Sequence, residues 1–405
     1  MDPDLDTAAQ HLARFDALGA LRLIGRREDP EALALRGVAM AQLGEDRDAQ
    51  KLLARAERGL ARTDARMHAR VVAARGEVAL GMRDLALAGR LLEEAEAALG
   101  DDRLNRTFVR LLRVRRLLLL GRIEEAHPLV SMDLRGAPSR LQVLAELLRA
   151  DVAARRLRVL EAEAALARAR KATRTAALPP LMAQVERFAA DFSAPVARII
   201  RDRTFALATL ADVVSLARSK GLVVDGCRRE LRLGQVTVSL ATRPVLFALA
   251  ETLGEAAPGA ASRALLMERA FGARRPNESL RARLRVEVGR LRRALAPLAM
   301  NVVPTPEGFA LTGDSDAMRV IVVLPPADGE ASLLLALLRG GEAWSSSSLA
   351  SASRLGQRAV QRALAELKDA GKVDAHGAGR SRRWVARPPE GFATTLLLAG
   401  RHARR

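Results

Sequence analysis

The chain has 405 residues, enough for two to four domains, and 49% of them are apolar, enough to build packed cores. Lys and Arg number 66 against 47 Asp and Glu, a formal net charge of +19, which calls for a polyanionic partner, with nucleic acid ahead of membrane. A single cysteine, Cys227, excludes an intramolecular disulfide and fits a reducing compartment. The acidic start MDPDLDTAAQ lacks the basic-then-apolar layout of a signal peptide. The longest purely aliphatic run, near Leu117–Leu120, is far too short to span a membrane. The expectation is therefore a cytoplasmic, nucleoid-associated protein with no membrane partner. Aromatics make up 3% of the chain and Tyr is absent, so cores are aliphatic, and the Ala- and Leu-rich composition favours helices. Only five of the basic residues are Lys, an Arg bias that a GC-rich coding sequence explains; coding bias does not explain the excess of basic over acidic residues.

From Asp4 to about Ala190 the apolar positions recur with helical period and almost no strand signal. Arg36-Gly37 recurs as Arg75-Gly76, thirty-nine residues on, and Leu52-Leu53 recurs as Leu91-Leu92 at the same offset. Leu43-Gly44, Leu80-Gly81 and Leu120-Gly121 each end one helix before another. Small residues at Gly37, Ala41, Gly76 and Ala88 allow close approach of paired helices. RGEVALGMRDLALAGRLLEEAEAAL (Arg75–Leu99) and LGRIEEAHPLV (Leu120–Val130) resemble the helix-turn-helix joint of tetratricopeptide (TPR) repeats, with a longer period and without that family's aromatic positions. A last pair, Leu141–Arg156 and Val159–Thr173, follows the same plan, and a plain helical bundle is the blander reading. The resemblance implies a concave groove for a protein or peptide partner, or for dimerisation. Arg110, Arg113, Arg115 and Arg116 read as a solvated face.

Thr175–Pro180 is a break, because Pro179-Pro180 cannot continue a helix. Leu181–Asp191 and Val196–Lys220 then read as connecting helices, so 191–220 is expected to be a stiff helical junction.

Strands Leu222–Asp225, Arg229–Leu233 and Gln235–Leu240 come next, then helices Arg243–Leu253, Ser262–Phe271 and Glu278–Ala296. A hairpin of Asn301–Pro304 and Gly308–Thr312 ends the module. In the long helix Leu284, Val288, Leu291 and Leu295 fall on one stripe, the core face. Arg283, Arg290 and Arg293 are read on the opposite face, with Ala282, Val286 and Gly289 between them. LRVEVGRLRRAL (Leu284–Leu295), VVPTPEGFAL (Val302–Leu311) and LRLGQVTVSLATRP (Leu231–Pro244) resemble the DNA-binding domain of OmpR/PhoB-type response regulators. That resemblance covers about ninety residues and implies a winged helix whose long helix enters the major groove. Gly289 and the wing tip Thr305-Pro306-Glu307 depart from the basic residues usual in the family, which leaves a protein-docking use open.

Gly313–Ala317 is a polar boundary and Val320–Val323 a strand candidate. Helices Ala331–Leu338, Ser347–Ser353 and Gln357–Ala370 follow, then a hairpin of Val373–Ala375 and Arg382–Ala386. SSLASASRLGQRAVQRALAELKDAGKV (Ser347–Val373) resembles the general bacterial helix-turn-helix, with a second wing behind it. Val360, Leu364 and Leu367 share the core face, while Arg358 and Arg362 point away near the helix start, where base edges are met. Gln361 on their flank suits adenine. Arg380, Arg382 and Arg383 on the wing suit phosphate or a narrow minor groove, and Trp384 anchors the wing core. An ordinary solvated hairpin is the bland alternative for those arginines.

No Walker loop, dinucleotide fingerprint or nucleophile elbow occurs. His11, His68, His127, His376 and His402 are scattered, so no catalytic residue, cofactor or metal ligand is assigned. Cys227 beside Arg228 and Arg229 reads as a structural thiol, although those arginines would tend to depress its pKa.

The fold class expected is mainly α: a TPR-like helical array at 1–190, a connecting helix at 191–220, an OmpR/PhoB-like winged helix at 221–313, a second winged helix-turn-helix at 318–390 and a basic tail at 391–405. The function expected is a sequence-specific transcriptional regulator on double-stranded DNA. An adaptor that docks proteins, or a nucleoid protein that binds without sequence preference, are the alternatives.

Overall fold

The computed structural model describes residues 2–176, 179–272, 277–313, 319–327, 329–339, 342–353 and 355–387. The basic tail expected at 391–405 lies outside them, as does the side chain of Arg380. Among the described residues the chain is mainly helical, with β-strands confined to the part from Ala197 onward. It divides into two compact units, formed chiefly by Met1–Asp191 and by Phe192–Gly340 with Trp344–Ala386.

The first unit holds α1 (Pro3–Ala13), α2 (Ala17–Ile24), α3 (Pro30–Gln42), α4 (Asp46–Leu60), α5 (Ala65–Gly81), α6 (Leu85–Ala98), α7 (Arg103–Leu119), α8 (Ile123–Ala126), α9 (Ser139–Arg155), α10 (Val159–Ala176) and α11 (Pro179–Ser193). Carboxylates start many of these helices: Asp29, Asp64, Asp84 and Asp102 each accept an N–H from the first turn. Consecutive helices pack in pairs, α3 on α4, α5 on α6 and α9 on α10, and α5 and α7 also touch across the pairs. The thirty-nine-residue offset becomes a repeated contact. A methyl on Gly37 would lie 2.6 Å from Cγ of Leu53, and one on Gly76 would lie 2.9 Å from Cδ2 of Leu92.

Buried charge is paired inside this unit. Arg70 donates to Asp102 at 2.8 Å, and Asn105 donates to the same carboxylate at 2.7 Å. Glu77 and Arg115 are both buried and attract each other. Burial pushes the Glu77 carboxyl up to about 8, and the attraction of Arg115 offsets only part of that. None of the four arginines read as a solvated face is fully exposed: Arg115 is buried, and Arg110, Arg113 and Arg116 are half-buried, Arg113 paired with Glu96 and Arg116 donating to the Leu85 carbonyl.

The second unit corrects the expected connecting helix at 191–220. The segment begins as a hairpin of β1 (Ala197–Arg201) and β2 (Thr204–Ala208). Asp202 and Arg203 turn it with φ of 47° and 62°, the left-handed pair that a tight two-residue turn requires. Of the expected helix, Leu210–Ser215 (α12) forms, started by a reciprocal cap between Thr209 and Asp212, and continues as a 3-10 turn at Leu216–Arg218.

Then come β3 (Leu222–Asp225), β4 (Glu230–Leu233), β5 (Val236–Ser239), α13 (Pro244–Ala256), β6 (Ala261–Ser262), α14 (Arg263–Phe271), α15 (Glu278–Leu295), β7 (Met300–Pro304) and β8 (Gly308–Gly313). These follow the expected order closely. The boundary at 313–318 does not hold. β9 (Val320–Leu324) inserts in the middle of a six-stranded sheet ordered β2-β1-β9-β3-β4-β5. It runs antiparallel to β1 and parallel to β3, with Val322 opposite both Ile200 and Val224. One face of the sheet packs Leu222, Val224, Leu231, Val320 and Val322 against α13, α14 and α15. The other packs Ile199, Val223, Ile321 and Val323 with Leu216.

The last module therefore starts at α16 (Glu330–Leu338), followed by α17 (Ser346–Ser353), α18 (Gln357–Asp369), β10 (Val373–His376) and β11 (Arg383–Ala386). Its core gathers Leu334, Leu338, Leu349, Val360, Leu364, Leu367 and Trp384. Trp384 donates its indole N–H to Ser346 at 3.0 Å and exchanges backbone bonds with Trp344. No described helix is long and apolar enough to cross a membrane.

Candidate nucleic-acid interface

Two helices carry the basic candidates. α15 starts at Asn277, whose side chain accepts the Leu280 N–H, and buries Leu284, Val288, Leu291 and Leu295 as the stripe demands. The hairpin β7–β8 folds back beside it and pairs with β6. Gly308 is obligatory there, because a Cβ would lie 1.9 Å from the Ala261 carbonyl oxygen.

The three arginines expected on the outer face of α15 separate. Arg283 lies over the Phe271 ring, 4.5 Å from its centroid. Arg290 is ion-paired to Glu287 at 2.8 Å. Both sit roughly a quarter-turn from the outermost line of the helix, which is the physical reason they meet neighbours. All three are exposed, but Arg293 alone lies on that line. The rest of the line is Ala282, Val286 and Gly289, with Val286 55% exposed. Arg281 and Arg285 were not singled out in sequence, yet both are exposed near the helix start, each 3.4 Å from Glu278. Arg263 was also missed. It reaches across to the hairpin tip, donating to the Thr305 and Pro306 carbonyls at 3.2 Å. A single exposed Arg before an apolar helix gives no sequence signal of such a reach.

α18 holds its candidates as expected. Val360, Ala363, Leu364 and Leu367 are buried, and Arg358, Gln361 and Arg362 are exposed. Arg358 and Arg362 lie four residues apart on the outward face of the first two turns. Arg362 is steadied by Glu330 at 2.7 Å, with the arginine side chain still 73% exposed. Arg382 and Arg383 are exposed at the β10–β11 hairpin, where Arg383 donates to the Arg382 carbonyl at 3.0 Å. Ser345 caps α17 by accepting the Ser348 N–H at 2.9 Å.

Two further groups bear on chemistry. Burial, together with the nearby Asp225 carboxylate, pushes the Cys227 thiol up to about 12, and Arg228 offsets only part of this. The thiol is protonated at neutral pH, against the depression that its basic neighbours suggested. In the helical unit Glu57, His68 and Glu94 bring ligand atoms within 4.8 Å of one another. They come from α4, α5 and α6, so no local spacing announces them; Glu57 is ion-paired to Arg75, and Glu94 is exposed.

In comparisons with protein-family models, curated proteins and solved structures, none matches the chain.

Proposed function

We propose that this protein is a DNA-binding transcriptional regulator with two winged-helix modules in tandem and a TPR-like helical array. The observation that carries the reading is α18. Two exposed arginines, Arg358 and Arg362, share its outward face within the first two turns, Gln361 flanks them, and Arg382 and Arg383 stand on the adjoining hairpin. Arginine forks at a helix start match guanine edges in a major groove, and hairpin arginines match phosphate. The chain's +19 charge supplies the long-range attraction. In this reading the second module supplies base contacts, the first supplies backbone contacts, bending or dimerisation, and the array receives a protein or peptide.

The test is pull-down of fragments of the organism's own genome with the purified full chain at physiological salt, followed by sequencing. A short motif enriched in a few promoters supports a specific regulator. Broad enrichment without a motif points to nucleoid binding instead. No retention, with duplex binding independent of salt, sinks both.

One observation favours a second reading, in which the first module docks a protein. Apart from Arg293, the outermost line of α15 is Ala282, Val286 and Gly289, a small apolar strip whose side chains offer no bidentate contact to a base.

A further inference from the structure

A cavity of about 560 Å³ opens between the start of α13 and the second half of α15. Arg243, Arg290 and Arg293 line it, with Glu287 beside them and Pro244, Val245, Leu246 and Ala294 as its apolar wall. We propose that this cavity seats a phosphoryl group.

The charges set the ligand class. Three arginines and one glutamate line the cavity, and that carboxylate is already committed: Glu287 is buried and holds Arg290 at 2.8 Å. Its effect is to fix the Arg290 fork while two net positive charges remain. Elsewhere in the chain exposed arginines are commonly neutralised, as Arg55 is by Glu28 and Arg170 by Glu186. Among the described residues neither Arg243 nor Arg293 has a carboxylate partner, and both are exposed at the cavity.

The wall adds donors of a second kind. No side chain caps the start of α13, and Pro244 occupies its first position. Val245 and Leu246 line the cavity, and their amides, in the first turn of α13, have no acceptor within the helix itself. Several guanidinium forks lining one cavity at an uncapped helix start suit the several oxygens of a phosphoryl group better than the two of a carboxylate. The volume leaves room for a phosphoryl group attached to something larger. Two sources share this chemistry: a duplex backbone and a free phosphorylated small molecule. The seat stands on these residues whether or not the protein binds DNA.

The experiment compares the full-length wild type with Arg243→Gln/Arg293→Gln and with a charge-matched control, Arg58→Gln/Arg90→Gln, on the helical unit. All four arginines are exposed, so folding is preserved, and melting curves verify it. Inorganic pyrophosphate is titrated by calorimetry, and a 30-base-pair duplex is titrated across a salt series. A pyrophosphate affinity at least tenfold weaker in the cavity variant than in wild type and control supports the seat and assigns it to a free ligand. A salt slope shallower by about one in the cavity variant alone also supports the seat and assigns it to the backbone. Equality of all three proteins in both titrations overturns the proposal. Failure of the wild type to bind duplex counts against the regulator reading and leaves the pyrophosphate comparison to decide the cavity.

Discussion

Arg358 and Arg362 share one face of α18 but are held differently. Arg362 is tethered by Glu330, whereas Arg358 has no ion pair among the described residues. A tethered fork loses less side-chain freedom on binding. Arg358→Ala and Arg362→Ala are each expected to cost about 1–3 kcal/mol on a specific duplex, read as a ratio of affinities for matched and scrambled sites. Equal losses on both duplexes would make them phosphate contacts. Glu77 makes a prediction about pH. Its carboxyl sits above the ordinary value of 4.5 because it is buried, with Asp46 adding repulsion and Arg115 attraction. The folded state therefore holds that proton more tightly than the unfolded chain does. The contribution is complete below about pH 4.5 and is lost as pH rises through about 8. The stability of wild type relative to Glu77→Gln should fall across that window, by no more than about 1.4 kcal/mol per pH unit. Denaturant unfolding at several pH values checks it, and parallel curves would remove Glu77 as the titrating group.

At the scale of the element, two glycines in helices have opposite meanings. Gly37 in α3 lets Leu53 of α4 pack against bare backbone, the same contact that Gly76 and Leu92 make between α5 and α6. Gly289 in α15 meets nothing within 4 Å. Replacing Gly by Ala gains up to about 1 kcal/mol of helix propensity in both places. At Gly37 the added methyl collides with a fully buried Leu53, and overpacking of that kind costs about 1–3 kcal/mol. Gly37→Ala should therefore lower the melting temperature of the helical unit, while Gly289→Ala should raise that of the second. The first of these contacts was legible as a thirty-nine-residue recurrence, because repeats preserve spacing as well as composition. The apolar stripe of α15 was legible for the same kind of reason, since one period decides which side is buried. The β1–β2 hairpin was not. Its turn is Asp202-Arg203 without a glycine, and its apolar residues suit a helix equally well. The partners of Arg283 and Arg263 were also hidden, because both contacts cross between elements.

The whole molecule concentrates its strands in one unit and ties them together over long sequence distances. Leu222 pairs with Val320, and Ile199 with Val323. No local pattern encodes such pairings, which is why the boundary near residue 313 read as a clean end. A chain stopped at residue 317 lacks β9, and with it the strand that joins β1 to β3. It should lose cooperative unfolding of the second unit, while a chain stopped at residue 327 should keep it; scanning calorimetry of the two fragments separates them. Retention of the second transition by the shorter chain would show that β9 is dispensable.

The same strand sets a timetable for synthesis. About 110 residues separate the β1–β2 hairpin from β9, and a ribosome adding roughly 5–20 residues per second needs on the order of 6–22 s to bridge them. Through that interval β1 and β3 wait with exposed edges, a nascent sheet whose middle has not yet been made. The helical unit, already translated and built from neighbouring contacts, is free to fold ahead of it.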